Sequence, residues 1–154
     1  MDRRWRDVGV LTGALFAVNV VARLITRFGF DSDDAAADRV SLAMFVVIGL
    51  ILAVVAFRWG SRRPLADWAA DMVLVVGAAM ALTVLVGPLL VGHSPFAGGA
   101  GTFFAQIWLY LLATGAGVLI GYLVLTALGR DYRSRQLKRY AEVKAAKPRR
   151  VVRR

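Results

Sequence analysis

Three stretches without a formal charge, residues 40–57, 72–91 and 103–128, constrain this chain more than anything else in it. A fourth, 8–22, reaches residue 25 if Arg23 extends its charged end to the water interface. A helix rises 1.5 Å per residue and needs about 20 apolar residues to cross a hydrocarbon layer of roughly 30 Å. The four stretches meet that length. They are long for buried strands and lack the polar face of a helix lying on a soluble core. Nothing alternates with the period of a membrane barrel, so helices remain as the way to pair the backbone in lipid. The expected fold is all-α: a polytopic four-helix transmembrane bundle with helices over about 8–25, 40–57, 72–91 and 103–128. Residues 1–128 then form the membrane domain and 129–154 a basic tail.

The 58% hydrophobic and 19% charged composition agrees with this and departs from that of soluble domains. The net charge of +10 is confined: residues 129–154 hold eleven basic and two acidic side chains, nine of the ten excess charges. Arg3, Arg4, Arg6, Arg58, Arg62 and Arg63 fall on the same side of the predicted spans as the tail. The opposite loops carry Arg27 and Arg39 among Asp31, Asp33, Asp34 and Asp38. By the positive-inside rule both termini face the cytoplasm, in a multi-pass protein of the plasma membrane. Trp5, Trp59 and Trp68 are expected at the inner boundary and Trp108 near the outer one. Cleavage of the first segment as a signal peptide is not expected, because Arg23, Arg27, Asp31, Asp33 and Asp34 separate its apolar run from the alanines at 35–37.

Polar residues inside the spans are the functional candidates. Asn19 and Thr83 fall near mid-depth from one side and Thr114 from the other, a layer that interhelical hydrogen bonding explains most simply. Aligning Asp7 with Asp71 superimposes Asn19 on Thr83 and hints at two parallel hairpins. Arg23 follows Asn19 by one turn, and Gln106 lies at comparable depth. The Arg23 guanidinium can grip a lipid phosphate or an anionic substrate, although reaching the outer headgroups is the simpler expectation. Asp67 and Asp71, one turn apart after Pro64, suit the dipole at a helix start beside Arg62 and Arg63. Asp71 is the proton-relay candidate, with no basic partner evident in the spans. Asp31, Asp33 and Asp34 form a weak oxygen-ligand set for a hard cation, better explained as caps of the second helix.

One histidine and no cysteine exclude disulfides, thiolate chemistry and an ordinary transition-metal site. His93 beside Ser94 lacks a carboxylate to orient it, and a turn is the default. Ala113, Gly117 and Gly121 recur every four residues and suit close helix packing, within the bundle, with a partner or in a homodimer. In the tail, Arg130, Arg133, Arg135, Lys138, Arg139, Lys144, Lys147, Arg149, Arg150, Arg153 and Arg154 alternate with Tyr132, Leu137, Tyr140 and Val143. The first part of the tail can continue the fourth helix. At about 1 kcal/mol per basic residue, such a tail binds anionic phospholipid headgroups or an acidic partner. Specific nucleic-acid binding is disfavoured, because no base-reading geometry accompanies the charge.

With no catalytic constellation and no cofactor motif, the leading expectation is a non-enzymatic accessory or scaffolding membrane protein. The alternative is a small transporter, channel or handler of lipids such as polyprenyl-phosphate conjugates, working through the intramembrane polar residues. An enzyme acting on a lipid-linked phosphate through Asp31, Asp33 and Asp34 ranks third.

Overall fold

The first two apolar runs become helices that outlast them at both ends, and the last two become helical stretches that begin before them and stop one residue short, at Leu90 and Ala127. The computed structural model describes residues 3–29 and 34–146. In it α1 spans Arg3–Gly29, α2 Asp34–Gly60, α3 Leu65–Ala81, α4 Gly87–Leu90, α5 Gly99–Ala127 and α6 Tyr132–Ala146. A π-helical turn, Leu82–Val86, joins α3 to α4, so residues 65–90 run as one rod. Four helices are thus long and apolar enough to cross a membrane. Asp31 and Asp33 lie outside the described residues, as does the side chain of Asp34. Lys147, Arg149, Arg150, Arg153 and Arg154 lie outside them as well.

The core is a narrow apolar column, with Leu11 and Leu15 from α1, Ile48 and Leu52 from α2, and Met72 and Val75 from α3. Large aliphatic side chains, among them Leu50, Val54, Val73, Leu112, Leu119 and Ile120, cover the outside. A surface this apolar would be a liability in water and is compatible with a hydrocarbon surrounding. Arg4 meets Asp71 near the starts of α1 and α3, and Arg23 meets Thr83 near their far ends, so these helices run parallel. Gly117 and Gly121 of α5 follow Gly49 and Ala53 of α2 in the same order, so α2 and α5 are parallel too. The two hairpins therefore point the same way. The end carrying the starts of α1 and α3 is called the base below, and the opposite end the mouth.

The α2–α5 contact is backbone on backbone. A Cβ added to Gly117 would overlap the Gly49 carbonyl and lie 2.8 Å from its Cα, and one added to Gly121 would meet Ala53 in the same way. Ala113 completes the seam, its carbonyl 3.4 Å from where a Gly49 Cβ would sit. Trp68 is buried: its ring lies 6.0 Å from that of Tyr122, tilted by 40°, beside Gly60, where a Cβ would touch the indole and collide with Leu125.

The tail does not continue the fourth long helix. Gly129, at φ +57°, closes α5: its amide donates to Thr126 and that of Arg130 to Leu125, the paired bonds of a Schellman cap. A glycine adopts this left-handed conformation without the Cβ penalty. Asp131 then caps α6 by accepting the Ser134 amide at 3.1 Å. Arg135 reaches the Ser61 carbonyl at 3.5 Å and ties the new helix to the α2–α3 turn.

Two measurements check this description. Gly117→Leu or Gly121→Leu should destabilise the detergent-solubilised protein by about 1–3 kcal/mol in thermal or chaotrope unfolding, because α2 and α5 must separate. Gly13→Leu, where nothing lies within 4 Å, should be nearly neutral. The hydroxyl and amide of Ser134 hold the Asp131 carboxyl below its ordinary value. Its capping contribution is therefore complete above the unfolded-chain value and lost as pH falls through the lower, folded one. Amide exchange in α6 should accelerate across that acidic window, and Asp131→Asn should retain the cap while removing the pH dependence.

Candidate functional site

Two polar centres interrupt the apolar column, one at the base and one toward the mouth. At the base, Asp71 is only 2% exposed and is held by two arginines. Arg4 approaches Oδ1 at 2.6 Å through Nε and Nη2, and Arg63 Nη1 donates to Oδ2 at 3.2 Å. The other terminal nitrogen of Arg63 lies 3.7 Å from Asp7, and its guanidinium sits 5.7 Å from the centre of the Trp59 ring. Because α3 starts at Leu65, with extended Pro64 before it, only Asp67 occupies the first turn. Asp71 lies beyond helix-dipole range and is an ion-pair residue instead. Its basic partners come from the start of α1 and the α2–α3 turn, outside the uncharged runs. Each oxygen of the carboxylate is engaged, so the cluster fastens α1, α3 and the intervening turn together.

The second centre is built around a missing hydrogen. Pro88 has no amide N–H, which removes one rung from the ladder of the third long helix. The helix responds by widening to the π register: the Gly87 amide donates five residues back, to Leu82. The next bond in that register would reach the Thr83 carbonyl from residue 88, and proline cannot make it. Arg23 supplies the donor, its Nη2 lying 3.4 Å from Thr83 O. Its Nε donates to Asn19 Oδ1 at 3.0 Å, and the Asn19 amide reaches Met44 Sδ at 3.1 Å. The charged group thus turns inward onto its own helix and α3, not outward. Gly87 makes room for it, since a Cβ there would lie 2.8 Å from Arg23 Nε and 3.0 Å from Asn19 Oδ1.

These groups line a cleft of about 840 Å³ opening toward the mouth. Asn19, Arg23, Thr83 and Gln106 all border it, as do Ser41, His93 and Tyr110. Asn19 and Thr83 are 2% and 5% exposed, and Tyr110 is 1% exposed, so the polar lining lies deep. The Thr83 and Tyr110 hydroxyl oxygens are fully buried and lie against each other. Thr114 stands apart: its hydroxyl bonds back to Tyr110 O at 2.7 Å and Leu111 O at 3.1 Å within its own helix.

Sequence reasoning assembled Asn19, Arg23, Thr83 and Gln106 but missed Tyr110, Met44 and Gly87. The signal for Tyr110 was present, because Gln106, Tyr110 and Thr114 recur every four residues on one face. Gly87-Pro88 likewise marks a helix whose ladder must break. No protein-family model matches the chain, and no curated protein or solved structure resembles it significantly.

The base cluster carries an asymmetry that mutagenesis can read. Arg4 is 55% exposed and Arg63 35%, so both rehydrate readily once Asp71 is neutralised. Asp71→Asn should cost little, whereas Arg4→Ala with Arg63→Ala strands a buried carboxylate and should cost about 3–5 kcal/mol in unfolding experiments.

Proposed function

We propose that this chain is a multi-pass membrane protein, both termini cytoplasmic, that takes up an anionic ligand in the Arg23 cleft as a small transporter or lipid-handling protein. The inward orientation of Arg23, which lines a deep polar cleft and meets neutral acceptors there, carries the reading. A cation inside a membrane is costly and is retained where it meets a counter-charge or substrate. Among the described residues, Arg23 hydrogen-bonds neutral acceptors alone, Asn19 Oδ1 and Thr83 O. Arg27 and Asp38 also line the cleft and offset each other in charge, so Arg23 leaves it net positive and favours an anion, for which a guanidinium offers several donors in a planar fork. An accessory or scaffolding role gives these groups no task, and the cleft favours ligand handling over it.

The tail contributes attachment. Leu137, Tyr140 and Val143 are exposed at three-residue spacing on α6, among Arg133, Arg135, Lys138, Arg139 and Lys144. Such a helix suits an anionic lipid surface, with apolar side chains entering the headgroup boundary and basic ones meeting phosphates.

Inorganic phosphate titrated onto the protein in an uncharged detergent should raise its unfolding temperature. Arg23→Ala should abolish that shift, and Gly87→Ala should weaken it by displacing the guanidinium while leaving the fold intact. Equal responses of wild type and Arg23→Ala overturn the proposal. Protease accessibility of the tail in sealed inverted vesicles, against intact cells, checks the orientation.

A further inference from the structure

Helices α3 and α5 stand apart over the base half of the bundle. The glycine seam draws α5 onto α2 and leaves an apolar groove of about 590 Å³ between α5 and α3. Met72, Val73 and Val76 form one wall, and Leu111, Val118 and Leu119 the other. Gly77 and Gly115 keep its upper part open, with nothing within 4 Å of where their Cβ atoms would sit. The groove has two defined ends. Toward the base, the ring of Trp68 meets that of Tyr122 at 6.0 Å. Toward the mouth, past Leu111, the Tyr110 and Thr83 hydroxyls lie against each other and bring α5 back to the third rod.

Its length and its walls select the occupant. From Leu65 to Gly77 the groove follows α3 for roughly 18 Å at 1.5 Å per residue. One leaflet supplies about half of a ~30 Å hydrocarbon layer, so the groove holds a single leaflet's depth of hydrocarbon and stops. A partner helix crossing the membrane would have to run on past the point where α5 and the third rod meet. The Thr114 hydroxyl on the wall is already engaged within α5 and offers such a helix no bond to fix its register. An acyl chain needs only the apolar contact.

Positive charge gathers where the groove reaches the base. Arg62 stands three residues before Leu65, which lines the groove. On the other side, the Arg130 amide bonds the carbonyl of Leu125, whose side chain lies beside Gly60 and Trp68. Arg135 joins them through the Ser61 carbonyl. All three arginines are exposed, and among the described residues none has an ion pair. The carboxylates of this end are placed elsewhere. Asp71 holds Arg4 and Arg63, and Asp131 caps α6. Asp67 projects from the opposite face of α3, about half a turn round from Ala69 and Val76 in the groove.

We infer that the α3–α5 groove seats an acyl chain of an anionic phospholipid from the base-side leaflet, with its phosphate at Arg62, Arg130 and Arg135. The lipid fills the gap that the glycine seam opens and ties α3, α5 and the start of α6 together at the headgroup level. The site shares no lining residue with the Arg23 cleft and lies in the other half of the bundle. It rests on the chain spanning a bilayer and not on the anion-cleft reading, so either site stands without the other.

The test uses the full chain in maltoside detergent and two lipids with identical acyl chains, phosphatidylglycerol and phosphatidylcholine, read by native mass spectrometry. Phosphatidylglycerol should be retained about tenfold or more strongly, through the arginines at its headgroup. Gly77→Leu with Gly115→Phe fills the groove and should abolish that retention, whereas Gly13→Leu adds bulk outside it and should not. Replacing Arg62, Arg130 and Arg135 together by Gln should bring the two lipids to within about twofold of each other. Trp68 supplies a readout that does not depend on the filled variant folding. With Trp5, Trp59 and Trp108 replaced by Phe, its emission should be quenched more by acyl-brominated phosphatidylglycerol than by the matching phosphatidylcholine at the same mole fraction. Equal retention of the two lipids, equal quenching of Trp68, or retention indifferent to the groove-filling pair overturns the proposal. So does a dimer that the groove-filling pair dissociates, since a second copy would then occupy this face.

Discussion

The amide hydrogen that Pro88 lacks organises the far half of this protein. An apolar surrounding offers no water to satisfy an abandoned carbonyl, so a proline in such a helix must be answered by another donor. The widened turn at Leu82–Val86 relocates the vacancy to the Thr83 carbonyl, and Arg23 answers it from a neighbouring helix. One consequence is steric: the guanidinium must lie close against the rod, which requires glycine at position 87. Another is electrostatic. A residue recruited partly to satisfy backbone places a full positive charge beside a deep cleft whose nearest acceptors are uncharged.

The two polar centres resolve their charges in opposite ways. At the base, Asp71 has both oxygens engaged by arginines that stay partly hydrated, so the burial cost falls on one group and is offset by two partners. Toward the mouth no carboxylate among the described residues hydrogen-bonds Arg23, although Asp38 shares the cleft lining. A closed ion network fastens helices, whereas an incompletely answered charge invites a ligand. That contrast separates a structural role for Asp71 from a binding role for Arg23, though both are ionisable residues facing the bundle interior.

The long helices were legible in the sequence because uncharged length is a property of the chain itself. Their overhangs were less so. Charged residues such as Arg4, Asp7 and Arg27 continue helices past the apolar runs, and hydropathy registers only the runs. The side-chain direction of Arg23 depends on the missing rung at Pro88, which lies 65 positions away; no local pattern around residue 23 contains it. The place of Arg63 beside Asp71 was legible from its closeness in sequence, whereas Arg4, 67 positions away, was not. The stop at Gly129 could have been read locally, because a glycine after an apolar helix, followed by Asp at 131, spells a cap and a restart.

The glycine seam has a mechanical consequence. Where Gly117 and Gly121 lie against the backbone of Gly49 and Ala53, no side chains intervene that could change rotamer to accommodate sliding. Helices α2 and α5 therefore behave as a single stiff beam. With the base of α1 and α3 stapled through Asp71, compliance concentrates in the upper part of the third rod, where the π turn has already loosened the ladder. Any breathing of the cleft is a flexing of that rod against a fixed wall.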